Sequence, residues 1–85
     1  MFLHVDKASY IGEYRVWLEF NDGSAGEVDL SNNLEGKIFE PLKDREFFGS
    51  FALRGHTLSW DNGADFAPEF LQELLLSQGK VASRV

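Results

Sequence analysis

The segment Glu13-Tyr14-Arg15-Val16-Trp17-Leu18-Glu19-Phe20 constrains the fold more than any other part of the chain. Tyr14, Val16, Leu18 and Phe20 alternate with charged or amphipathic residues. A period of two over aromatic and β-branched side chains marks a half-buried strand. Asn21-Asp22-Gly23-Ser24 follows at once, and Asp-Gly supplies the positive φ of a tight hairpin turn. The chain then returns over roughly Ala25–Leu30, with Val28 and Leu30 toward the core. Phe2–Lys7 reads as another strand, joined to the first by a turn over Ala8–Gly12. Three antiparallel strands are expected to open the domain.

Beyond Ser31-Asn32-Asn33 the pattern becomes irregular. Pro41, set among Ile38, Phe39 and Leu42, argues against a continuous helix there. Asp44–Gly49 reads as a single helical turn, capped by Asp44 and stopped by Gly49. Phe51–Arg54 and Thr57–Trp60 read as short strands around Gly55-His56, with Phe51, Leu53, Leu58 and Trp60 in the core. Asp65–Ser77 is the strongest helix: Pro68 lies in its first turn, Gly79 just past its end, and Asp65 is a plausible cap. Phe66, Phe70, Leu71, Leu74 and Leu75 recur at helical spacing, a stripe that should lie on the sheet. The tail 80–85 is weakly patterned and is expected to be loosely ordered. The fold class is therefore α+β: an antiparallel sheet of about four or five strands, one main C-terminal helix packed on it, and a short middle helix.

A chain of 85 residues makes one domain, 1–85, with no room for a second core. It buries only about 60% of its unfolded surface, which the eight Phe and two Trp help to make sufficient. With no cysteine, disulfides, thiolate chemistry and Cys-based zinc sites are ruled out. No basic segment precedes a long apolar run at the N-terminus, and no wholly apolar run exceeds three residues, Leu74-Leu75-Leu76 among them. A signal peptide or membrane span is not expected, and a cytoplasmic location is. The net charge of −6 opposes binding to phosphate backbones. Two stretches hold acids and no base: Glu19–Glu35, with Glu19, Asp22, Glu27, Asp29 and Glu35, and Asp61–Glu73, with Asp61, Asp65, Glu69 and Glu73. Lys37, Lys43, Arg45 and Arg54 lie between them, mixed with Glu40, Asp44 and Glu46. That makes a nucleic-acid surface the weakest reading.

The cluster most suggestive of chemistry is Asp61-Asn62-Gly63-Ala64-Asp65, whose two carboxylates and amide suit a hard cation. Its spacing is not that of an EF-hand loop, and a turn leading into a capped helix explains the same residues. The two histidines, His4 and His56, sit in no recognised metal spacing. No Gly-rich phosphate loop is present, so the expectation is a non-catalytic protein with no cofactor and no metal. The alternative is a small metal-dependent hydrolase or nuclease using Asp61, Asp65 and a histidine. Arg15, Trp17 and Glu19 occupy the face of their strand opposite the expected core. Trp17 is either covered by the irregular middle segment or is an exposed anchor of the kind enriched at interfaces. With Glu27 and Asp29 these residues form the candidate partner surface.

The chain resembles the family called domain of unknown function 2442. The resemblance is carried by Tyr14–Gly23, Val28-Asp29-Leu30, Gly36–Asp44, Phe47-Phe48 and, most distinctively, Leu58–Glu69. It implies a small bacterial α+β domain and transfers no catalytic residue. Some members are followed by a helix-turn-helix segment, and many are thought to be encoded beside another small protein, an arrangement like a toxin–antitoxin pair. These 85 residues hold no such DNA-binding helices, so the resemblance implies that any DNA contact comes from a partner. The expected role is protein–protein recognition, accessory or antitoxin-like, with a gene-neighbour small protein or a second copy of the chain as partner.

Overall fold

The structure is a computed structural model and describes residues 2–78; the expectation for the tail 80–85 lies outside the described residues. Five strands and two α-helices follow in the order β1 (Val5–Gly12), β2 (Arg15–Phe20), β3 (Ala25–Asp29), α1 (Arg45–Phe48), β4 (Ala52–Arg54), β5 (Thr57–Ser59) and α2 (Pro68–Gln78). Two 3-10 segments, Ser31–Asn33 and Lys37–Lys43, span the irregular middle. The fold is α+β. Its strands form two sheets rather than one, a three-stranded β1-β2-β3 meander and the β4-β5 hairpin. The sheets meet where the Val5 N–H donates to the His56 carbonyl at 2.9 Å.

The alternation in β2 is realised as expected: Val16, Leu18 and Phe20 are buried, while Arg15, Trp17 and Glu19 are half-buried on the opposite face. The first strand differs from its sequence reading. It runs from Val5 to Gly12, across the residues expected to turn, and the reversal comes at Glu13, whose φ is 53°. Register shifts between Val5 and Lys7 and between Tyr10 and Gly12 explain the difference. A bulge inserts an unpaired residue and breaks the period of two by which a strand is recognised.

The β2–β3 turn is a three-residue loop. Gly23 N–H donates to the Phe20 carbonyl, Phe20 N–H donates to the Ser24 carbonyl, and Gly23 alone takes a positive φ, of 93°. This is a type I turn closed by a glycine bulge. Beyond it, Leu30 N–H bonds the Tyr14 carbonyl, so Gly26 and Val28 bond to β2 while Ala25, Glu27 and Asp29 aim their backbone groups at the free edge. At Asp29 that edge is closed by Gln78, whose side-chain amide accepts from the Asp29 N–H and donates to its carbonyl, each at 2.9 Å. Covering an edge in this way removes a template for unwanted strand pairing.

α1 matches its expectation: the Asp44 carboxylate accepts from the Glu46 N–H, and Gly49 follows as the C-cap. α2 starts at Pro68, three residues later than expected, and Asp65 is not its cap. Asp65 instead bridges Ser59, and Phe66 N–H donates to the Leu58 carbonyl at 3.3 Å, so this segment flanks β5. Pro68 then starts the helix, because proline disfavours helical backbone in the residue before it. Leu71 and Leu75 are fully buried, and Phe70 and Leu74 pack at the margin. Leu53, expected in the core, is 39% exposed because it sits on the outer strand of the hairpin.

The core closes around Trp60, 1% exposed. Its ring lies 5.7 Å from Phe48, 5.9 Å from Phe66 and 6.1 Å from Phe51. Its indole N–H donates to the Phe48 carbonyl at 2.9 Å. Phe66 in turn stacks on Phe39 and Phe70. Leu75→Ala should cost about 2–5 kcal/mol in urea unfolding, as expected for a fully buried leucine. Leu76→Ala, one residue on and 61% exposed, should stay within about 0.5 kcal/mol of the parent.

Candidate functional site

The candidate partner surface is the outer face of the β1-β2-β3 sheet. Cross-strand partners point to the same side of a sheet, and the register pairs Arg15 with Asp29, Trp17 with Glu27 and Ser9, and Glu19 with Ala25 and Lys7. Arg15, Trp17, Glu19, Glu27 and Asp29 therefore share one face. Trp17 lies outside the core cluster. Its indole N–H donates to Glu19 Oε2 at 3.0 Å, which orients the ring across the strand. Arg15 Nη1 meets Glu27 Oε2 at 3.0 Å, and the Asp29 carboxylate accepts from the Ser31 N–H. Arg15, Glu19, Glu27 and Asp29 thus each have a partner within the chain. The face is a half-buried tryptophan framed by fixed polar groups.

The Asp61–Asp65 cluster is an architectural turn. Gly63 N–H donates to the Trp60 carbonyl and Trp60 N–H donates to the Ala64 carbonyl, with Gly63 at φ 94°. These are the bonds of the Phe20–Ser24 loop, repeated. The two turns also share a side-chain device: Asp22 Oδ1 accepts from the Ser24 N–H, and Asn62 Oδ1 accepts from the Ala64 N–H. The amide of Asn62 also donates to the Ile38 carbonyl at 2.8 Å, tying the turn to the middle segment. Asp61 is drawn to Arg54 at 2.7 Å. Its side chain and that of Asp65 are exposed rather than enclosed.

The histidines do not join them. His56 precedes β5 and Asp61 follows it, so the two stand at opposite ends of that strand. His4 and His56 instead lie together, ring centroids 4.9 Å apart, with His4 Nε2 2.9 Å from Asp6. Nothing in their sequence positions indicated this pairing, which arises from the junction of the two sheets. Among the described residues no three His, Asp or Glu side chains are grouped so as to hold a metal ion. Nor is any described helix long and apolar enough to cross a membrane.

Two residues unmarked in the sequence reading hold the elements around these surfaces. Gln72 Nε2 donates to Asp22 Oδ2 at 2.7 Å and to Ser24 Oγ at 3.0 Å, fastening α2 to the β2–β3 turn. Asn21 fastens the N-terminal segment: it accepts from the His4 N–H and donates to the Phe2 carbonyl. The Ser24 N–H and hydroxyl, with Gln72, hold the Asp22 carboxyl below its ordinary pKa. A lowered pKa contributes stability that is present above the unfolded value and is lost as pH falls through the folded one. Asp22→Asn keeps the turn geometry, as Asn62 shows, but removes the charge. Wild type should melt above this variant from pH 7 down to about pH 4, and the difference should shrink as pH falls further toward 2. Thermal melts across that range check it; a difference independent of pH would contradict it.

No curated protein and no solved structure matches this sequence. The profile of one family does, over residues 5–74, a span that takes in both three-residue turns, the outer sheet face and the Trp60 cluster. The chain belongs to the family described as Protein of unknown function (DUF2442).

Proposed function

We propose that this chain is a non-catalytic recognition domain, acting in the cytoplasm in an accessory, antitoxin-like role. It binds a protein partner through the outer face of its three-stranded sheet. The observation that carries this reading is Trp17. It is a large ring held in place by Glu19 outside the core, beside an Arg15–Glu27 pair. Tryptophan and arginine dominate interface hot spots, and a side chain already oriented loses less freedom on binding. The acidic turn at Asp61–Asp65 serves the fold, which weakens the case for hydrolysis. Its carboxylates are separated from both histidines by β5.

The test begins with the tagged chain at native expression in its own host and identifies what co-purifies. The purified pair is then measured with Trp17→Ala and with the double variant Glu27→Lys/Asp29→Lys. A hot-spot tryptophan contributes at least about 2 kcal/mol, so Trp17→Ala should weaken the complex by about 30-fold or more. Circular dichroism should show both variants folded; the double variant also needs a thermal melt, because Asp29 holds the Ser31 N–H. Unchanged affinity in both variants would reject this face as the interface.

A further inference from the structure

A groove of about 440 Å³ lies away from the aromatic core, between the N-terminal segment, the β2–β3 turn and the start of α2. Phe2, Leu3, Asn21, Asp22, Glu69 and Gln72 line it. Its walls are fixed by bonds that cross between elements. Asn21 holds the Phe2–His4 segment, and Gln72 holds Asp22 and Ser24. This volume is near the low end of the roughly 300–1,000 Å³ typical of ligand sites. It has room for a few side chains and not for a folded domain.

Two properties of the groove specify what fits it. The first is an exposed apolar wall: Phe2 is 89% exposed, and Leu3 lies beside it. Leu76, 61% exposed, extends the apolar surface along α2, four residues after Gln72 and seven after Glu69. The second is charge. Asp22 belongs to one of the base-free acidic stretches and Glu69 to the other, and folding brings the two stretches together here. Among the described residues neither carboxylate pairs with a lysine or arginine. The outer sheet face differs, because Arg15 already pairs with Glu27 there.

We propose that this groove binds an extended basic segment of a partner protein, with a bulky apolar side chain against Phe2 and Leu3 and a flanking Lys or Arg between Asp22 and Glu69. This is a second site, and it stands independently of the outer sheet face. The apolar wall sets it apart from a general polycation site, and its acids disfavour a nucleic acid or an anionic lipid surface.

The test titrates the 15N-labelled full chain with a capped Lys-Leu-Arg-Leu-Lys peptide, followed by amide shifts. Saturable shifts should be confined to Phe2, Leu3, Asn21, Asp22 and Gln72. Glu69→Lys should weaken binding about two- to fivefold, the scale of one exposed charge pair. Phe2→Ser should weaken it comparably, and Glu27→Lys on the outer face should leave it unchanged. Glu-Leu-Glu-Leu-Glu should not bind. Shifts centred on Trp17 and Glu27, no saturable shifts at all, or an equal response to spermidine would each overturn the proposal. So would binding that is indifferent to both groove variants while their melts match wild type.

Discussion

The bond from the Trp60 indole to the Phe48 carbonyl is the contact on which the rest of the structure depends. It fixes the largest side chain of the core in one orientation at the meeting point of β5, α1 and the three-residue turn. Around it the rings run from Tyr14 to Phe48, through Trp60, to Phe66, and from there to Phe39 and Phe70. The β1–β2 turn, α1, the turn after β5, the middle segment and α2 thus share one aromatic cluster. Each such pair adds about 0.5–1.5 kcal/mol beyond its buried area. An unpaired buried carbonyl at Phe48 would cost about 1–3 kcal/mol. In a domain this small those terms are a large fraction of the net stability, and they join two sheets connected by few backbone bonds.

The repeated turn explains why the residues that look most chemical are structural. In both Phe20–Ser24 and Trp60–Ala64 an aromatic residue opens the loop, an Asp or Asn side chain holds the amide after the glycine, and glycine supplies the positive φ. The chain uses one device twice, once to return β3 and once to lead from β5 toward α2. Asp22 and Asn62 act locally in each copy and also reach outward, Asp22 to Gln72 and Asn62 to Ile38. Of the two carboxylates that suggested a cation site, Asp61 pairs with Arg54 and Asp65 lies exposed.

Much of this was legible because it is local. The alternation in β2, the Asp-Gly turn, the Asp44 cap with its Gly49 stop and the stripe of α2 each depend on residues a few positions apart. The parts that were not legible depend on distant partners or on broken periodicity. Bulges hid the length of β1, and the bond from Phe66 to Leu58 delayed the start of α2. The division into two sheets follows from how sparsely β1 meets the β4–β5 hairpin. For the outer face, alternation placed Arg15, Trp17 and Glu19 together, and the register sets Glu27 and Asp29, already named with them, on the same side. The groove was out of reach, since Phe2, Asp22 and Glu69 meet only through Asn21 and Gln72, and neither amide carries a signal of its partner.

The two tryptophans stand in opposite places: Trp60 builds the core, and Trp17, bonded to Glu19, lies on the outer face. The most direct test is 19F NMR of the chain labelled with 5-fluorotryptophan, free and in the complex that co-purifies from its host. In the free chain the Trp17 resonance should show a solvent-isotope shift between H2O and D2O, and the Trp60 resonance should show none. In the complex the Trp17 resonance should move and lose its isotope shift while Trp60 stays in place. A Trp17 resonance that is unchanged and still solvent-sensitive in the complex would contradict a partner surface on the outer face.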